Sequence, residues 1–173
     1  MPMIVEVDFE IRDEQFGDQR EVWQLNEVAF GRSDEADLVD RLREEGVVLL
    51  SLVAELRGQI VGHILFSRMS IETAQGTLPA VSVAPMAVRP SHQRRQVGSH
   101  LVRHGLDCLR VRGERIVIVL GHKDYYPRFG FAADKARYLS SPFPADAFMA
   151  LELSEGALSD VRGAVRYPAA FGL

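Results

Sequence analysis

The sequence predicts an α/β (α+β) fold: a mixed, mostly antiparallel sheet with a parallel, splayed strand pair at its centre, flanked by helices. Three observations carry this. Two segments of helical period come first and apolar, β-branched runs follow, in the order α, α, β, β, β, α, β, short α, β. Arg57-Gly58 separates two of those runs as a hairpin turn does. A helical segment lies between runs 78–88 and 114–120, the spacing of a right-handed crossover joining parallel strands.

In chain order, 13–30 places Phe16, Val22, Leu25, Val28 and Ala29 at helical spacing, and Gly31 ends the helix. Ser33 caps a second helix whose first turn holds Asp34 and Glu35, where the helix dipole favours acids. Leu38, Val39 and Leu42 form its buried stripe and Gly46 stops it. Runs 47–56 and 59–69 form the hairpin. Run 78–88 is also a strand, with Pro85 in its middle. Proline has no N–H for a ladder, so a bulge or a splayed edge is expected there. Segment 97–111 reads as a helix with Val97, Leu101, Val102, Leu106 and Leu109 inward and Gly113 as its stop. Residues 114–120 and 147–153 complete the strands, with a tight aromatic segment, 125–131, between them.

The chain of 173 residues, 47% hydrophobic and 25% charged, has the size and balance of one soluble domain spanning 1–173. The single cysteine, Cys108, forms no internal disulfide, and residues 1–6 lack the basic and apolar regions of a signal peptide. No uncharged apolar stretch approaches the ~20 residues that span a bilayer. These observations predict a cytoplasmic protein. A net charge of −4 argues against nucleic-acid and membrane partners.

The distribution of charge is more informative than its sum. Between Arg89 and Arg112 lie six arginines, three histidines and one acid, Asp107. Gln93-Arg94-Arg95-Gln96-Val97-Gly98-Ser99 stands between a strand and a helix N-terminus. The first N–H groups of a helix lack internal partners and carry about half a positive charge. With arginines beside them they make a pyrophosphate cradle, and Gly98 lets the anion approach the backbone. Neither G-x-G-x-x-G nor G-x-x-x-x-G-K-[ST] is present. Just upstream, a strand opened at Pro85 frees backbone groups of Met86, Ala87 and Val88 for an amide-bearing ligand. His100 and His104 share a helix face, but Leu101 stands where a zinc signature has glutamate, and no metal site is expected.

Val83 to Ser99, VAPMAVRPSHQRRQVGS, resembles the acetyl-CoA-binding motif of the GNAT superfamily of N-acetyltransferases. There a strand ends in an apolar-Ala-Val-x-Pro phrase and Q/R-x-x-G-x-G/A follows. Gln93 takes the Q/R position, Gln96 replaces the first glycine and Gly98 is the second. The resemblance covers most of the chain, because two leading helices, hairpin, motif helix, strand and a Y-x-x-x-G-F phrase fall in GNAT order. Tyr126-Pro127-Arg128-Phe129-Gly130-Phe131 is that phrase. An asparagine common after the preceding strand is absent; Gly121-His122-Lys123-Asp124 stands there.

The resemblance implies an acetyl-CoA-dependent acyltransferase that carries the acetyl group to a primary amine by direct attack in a ternary complex, without a metal. It makes Tyr126 the catalytic residue, protonating the departing CoA thiolate. It makes Met86, Ala87, Val88, Gln93, Arg94, Arg95, Gln96, Val97, Gly98 and Ser99 the cofactor-binding set, with Met86 N–H a candidate donor to the developing oxyanion. A lysine-like amine has a pKa of about 10.4 and attacks only when neutral, so a base or a water relay is implied. Glu72, His63 and His122 are possibilities for it. The acceptor, a small molecule or a peptide, is expected to meet variable loops such as 31–46 and 132–147. Two readings compete: a non-catalytic acyl-CoA-binding or sensory module, prompted by Gln96 and the unassigned base, and a nucleotide-binding regulatory domain, prompted by the basic loop.

Overall fold

A computed structural model describes residues 8–173; the leader reading at residues 1–6 lies outside the described residues. Among the described residues, eight strands and three α-helices follow one another. They are β1 (Glu10–Asp13), α1 (Gln19–Phe30), α2 (Asp34–Glu45), β2 (Val48–Leu56), β3 (Gln59–Thr73) and β4 (Gly76–Val88). Then come α3 (Val97–Val111), β5 (Ile116–Leu120), β6 (Leu139–Ser140), β7 (Phe148–Glu152) and β8 (Gly163–Arg166).

The sheet runs β1-β2-β3-β4-β5-β7, and β8 joins the far end of β3 with β6 at its side. β4 and β5 are parallel, with Val81 to Val83 opposite Val117 to Val119, and α3 is their crossover. The remaining pairs are antiparallel apart from the two-residue β6–β8 contact. This is the mixed, mostly antiparallel sheet expected from the hydrophobic pattern.

Side chains alternate across β3 and divide the core into two layers. Ile64 and Phe66 face α3, meeting Leu101, Val102, Leu106 and Leu109. Leu65 and Ile60 face the other way, toward Val22 and Leu25 of α1 and Val39 and Leu42 of α2. With both faces covered, β3 is an almost continuous buried run, which is why no polar alternation marks it in the sequence. α3 lies so close to the sheet that a Cβ on Gly105 would stand 2.3 Å from the Phe66 ring.

Several expectations need correction. Segment 13–30 is not one helix: β1 ends at Asp13, a short 3-10 turn covers Phe16–Asp18, and α1 starts at Gln19. Phe16 matched the helical spacing but is 88% exposed, so it buries nothing to hold a longer helix. Arg12 fixes the break by bonding Glu55 of β2 at 2.7 Å and Asp18 at 2.7 Å. Ser33 occupies the start of α2 without a side-chain capping bond. The β3–β4 hairpin runs on to Thr73 and Gly76, and β6 and β8 were not anticipated.

One buried polar chain ties α1 to the sheet. Asn26 Nδ2 lies 3.3 Å from His63 Nδ1, and His63 Nε2 lies 2.8 Å from Ser51 Oγ. Ser51 Oγ donates to Glu14, which is paired with Arg43 of α2. Burial holds His63 neutral, its pKa pushed down to about 3 with a smaller push from Arg43. No described helix is long and apolar enough to cross a membrane.

Candidate active site

The parallel contact between β4 and β5 ends at Val83, and beyond it β4 bends. Its register against β3 slips between Met86 and Val83, so Leu65 opposes both Ala84 and Pro85, whose peptide bond is cis. This is the irregularity expected at Pro85. Arg89 N donates to Val61 O at 2.8 Å, which sets the alternation of the ladder. Ala87 turns its backbone groups to β3, whereas those of Met86 and Val88 turn to the side that β5 has left. A cleft of about 770 Å³ opens there.

Of the ten residues assigned to cofactor binding, eight line this cleft: Met86, Val88, Gln93, Arg94, Gln96, Val97, Gly98 and Ser99. Ala87 and Arg95 do not; Ala87 is buried against the α1–α2 layer and Arg95 is exposed. Gln93 Nε2 donates to Val88 O at 3.1 Å, joining the loop to the opened strand. Gln96 stands at the start of α3 with φ 65° and ψ 13°, the left-handed geometry that glycine adopts most readily. Arg94 is left-handed as well, at φ 63°. The loop therefore keeps a glycine-like path with a glutamine in it, and its strain is concentrated where the first turn of α3 faces the cleft. His100 donates its N–H to Gln96 O at 3.0 Å, and its ring packs edge-on to Phe9.

Tyr126 lines the same cleft from the 3-10 turn Tyr126–Phe129. Its ring packs on Gly121 at the end of β5, where a Cβ would sit 2.4 Å from it. Tyr125 and Phe131 meet it edge-on at 5.1 and 5.7 Å between centroids. Burial pushes the Tyr126 phenol up to about 12, so it stays protonated as a proton donor must.

The candidate bases separate. His63 is fully buried in the polar chain behind β3, and Glu72 bonds Arg166 at 3.0 Å on the β3–β8 edge. His122 lines the cleft. Phe30, Glu35 and Leu38 bring the α1–α2 corner into the lining, most of 31–46 being helix α2 and not a loop, and no residue of 132–147 lines this cleft. Arg32 grips Glu35 and holds its carboxyl below the usual range. Tyr125 and Arg128 also line the cleft and were missed. The signal available for them was their position beside Tyr126, within the same short turn.

The lining of this cleft has the groups an acyl-CoA would need. Met86 N–H and C=O and Val88 N–H face one wall while Val88 O is taken by Gln93, the first N–H groups of α3 and Arg94 lie along the loop side, and Tyr126 packs at the end of β5. A Cβ on Gly98 would meet Tyr125 Oη at 3.0 Å and Met86 Cε at 3.4 Å, so glycine keeps this wall open.

Comparison with known proteins agrees with the geometry. The sequence model of the acetyltransferase (GNAT) domain matches residues 10–133. YjhQ of Escherichia coli K12, an uncharacterised N-acetyltransferase, is 40% identical over 143 residues, 80% of this chain and 78% of its own. YhbS of the same organism, also an uncharacterised N-acetyltransferase, is 35% identical over 142 residues, 80% of this chain and 84% of its own. The crystal structure of YhbS with CoA superposes with a TM-score of 0.89 at 33% identity, covering 96% of this chain and 93% of that one. A Brucella melitensis GNAT acetyltransferase in complex with acetyl-CoA gives a TM-score of 0.80 at 34% identity, covering 94% and 97%.

Proposed function

Because the chain belongs to the GNAT family of N-acetyltransferases and takes acetyl-CoA as its acyl donor, we propose that it acetylates a primary amine by direct attack within a ternary complex. The observation that carries this reading is the convergence of the opened β4 edge, the strained loop at α3 and the buried Tyr126 phenol on one cleft. Acetyl-CoA bound there supplies an activated thioester.

The residues of this chain divide the work. The N–H and C=O of Met86 and the N–H of Val88 bond the pantetheine arm as a neighbouring strand would, with Val88 O kept by Gln93. Gln93, Arg94, Gln96, Val97, Gly98 and Ser99 enclose the phosphates at the start of α3. Met86 N–H, already fixed in place by the ladder, is the donor for negative charge on the carbonyl oxygen, which needs no reorganisation at the moment of attack. Tyr126 donates its proton to the departing sulfur. Of the three candidate bases, His122 lines the cleft wall and acts directly or through water. Phe30, Glu35 and Leu38 form the acceptor side. The protein acts in the cytoplasm on a small-molecule or peptide amine, without nucleic-acid or membrane partners.

Calorimetric titration with acetyl-CoA, CoA, ATP and NAD tests the donor site, and an amine panel with acetyl-CoA tests transfer. Binding selective for the CoA compounds together with transfer to an amine is expected. Binding without transfer across a broad panel would instead establish the acyl-CoA-binding module.

A further inference from the structure

The phosphate end of the cleft has a second wall, which the loop motif does not include. Tyr125 Oη lies 3.3 Å from Ser99 Oγ in the first turn of α3 and 3.0 Å from where a Cβ on Gly98 would be. The Tyr125 hydroxyl therefore abuts the turn that opens α3. Arg128 lies over the Tyr125 ring, its Cζ 4.8 Å from the centroid, and both residues line the cleft together with Arg94. Phe129 braces Tyr125 edge-on at 5.2 Å and is itself covered by Arg103 at 5.2 Å. Arg110 and Arg137 are paired with acids, but Arg128 has no ion-pair partner among the described residues.

We propose that Arg128, held by Tyr125, binds a phosphate of the CoA moiety and closes the anion site opposite the α3 loop. The inference rests on the reading that acyl-CoA occupies this cleft. Its physical basis is charge and geometry. Stacking on Tyr125 orients a planar guanidinium without neutralising it, and its fork of donors matches phosphate oxygens in pairs. The α3 terminus and Arg94 supply positive charge on one side only, and a cofactor with several phosphate charges leaves room for a cation on the other. Arg128 and Tyr126 share one turn of chain, so a phosphate bound at Arg128 also fixes the turn that carries the proton donor. Tyr125 is a positioning residue here, acting through Arg128.

The chemistry fits either the pyrophosphate or the 3′-phosphate, and the experiment separates them. Wild type, Arg128→Gln, Arg128→Lys and, as a control on the far part of α3, Arg110→Gln are titrated calorimetrically with CoA and 3′-dephospho-CoA. Thermal melts establish that each variant folds; Arg128 is exposed, and Arg128→Lys retains the charge. A lost charged hydrogen-bond pair weakens CoA by roughly ten- to a hundredfold in Arg128→Gln, with a smaller loss in Arg128→Lys and none in Arg110→Gln. Equal loss for both ligands assigns the pyrophosphate. Loss for CoA alone, leaving the two ligands bound alike, assigns the 3′-phosphate. Arg128→Gln binding CoA within twofold of wild type, while wild type binds it, overturns the proposal and leaves the cofactor reading intact. Failure of wild type to bind CoA overturns both.

Discussion

Replacing Gln96 by glycine should stabilise the protein, against the usual effect of adding a glycine. The residue sits at φ 65°, where an L-residue pays roughly 1–2 kcal/mol that glycine does not. Against this stands the greater freedom that glycine loses on folding, roughly 0.5–1 kcal/mol. The glutamine side chain makes no capping bond at the start of α3, so none is lost with it. The difference is a gain of about 0–1.5 kcal/mol, centred on a Tm rise of about 2–3 °C for a chain of this length. Thermal unfolding monitored by circular dichroism reads this directly. Gln96→Ala is the decisive companion: it removes the side chain and keeps the left-handed requirement, so it should melt no higher than wild type. The same substitution to glycine takes a Cβ away from the phosphate end of the cleft, and CoA should bind as tightly or more tightly. If Gln96→Ala gains as much as Gln96→Gly, or if Gln96→Gly melts lower than wild type, backbone strain is not what the glutamine imposes.

Gly105→Ala should destabilise by about 1–3 kcal/mol, because its Cβ would stand 2.3 Å from Phe66 and overpacking outweighs the roughly 1 kcal/mol gained in helix propensity; urea unfolding with a raised midpoint would refute this. His63 has its pKa depressed to about 3, so the unfolded chain binds the extra proton first as pH falls below 6.5. Stability should then drop by about 1.5 kcal/mol between pH 6.5 and 5, with that slope flattened in His63→Gln. Tyr126→Phe should lower kcat by roughly a hundredfold or more with acetyl-CoA affinity nearly unchanged. Since its phenol titrates near 12, the wild-type rate should show no alkaline loss from Tyr126 below about pH 11.

The division between what the sequence displays and what it hides follows from where each element gets its stability. α2, α3, β2 and the centre of β3 bury regular apolar stripes, and periodicity locates them within a few residues. β1 and β8 are four residues each, EIRD and GAVR, and are held by ladder bonds to β2 and β3 and by ion pairs such as Arg12–Glu55 and Arg166–Glu72. A strand held by its neighbour's backbone leaves almost no hydrophobic pattern of its own. The same reasoning applies in the cleft. The loop at 93–99 announces itself because phosphate contact demands particular backbone geometry within a short stretch, and Pro85 announces the opened strand in the same way. Tyr125 meets Ser99, far away in sequence, and lines the cleft with Arg128, and nothing in their own spacing distinguishes them from an aromatic core turn. Gln96 marks the boundary between the two cases. As a letter it breaks the glycine motif, and as a backbone conformation, left-handed at φ 65°, it preserves it. A motif read as residue types alone therefore understates this site: what the chain keeps there is the left-handed dihedral angle, and the strain that glutamine tolerates is what the glycine substitution measures.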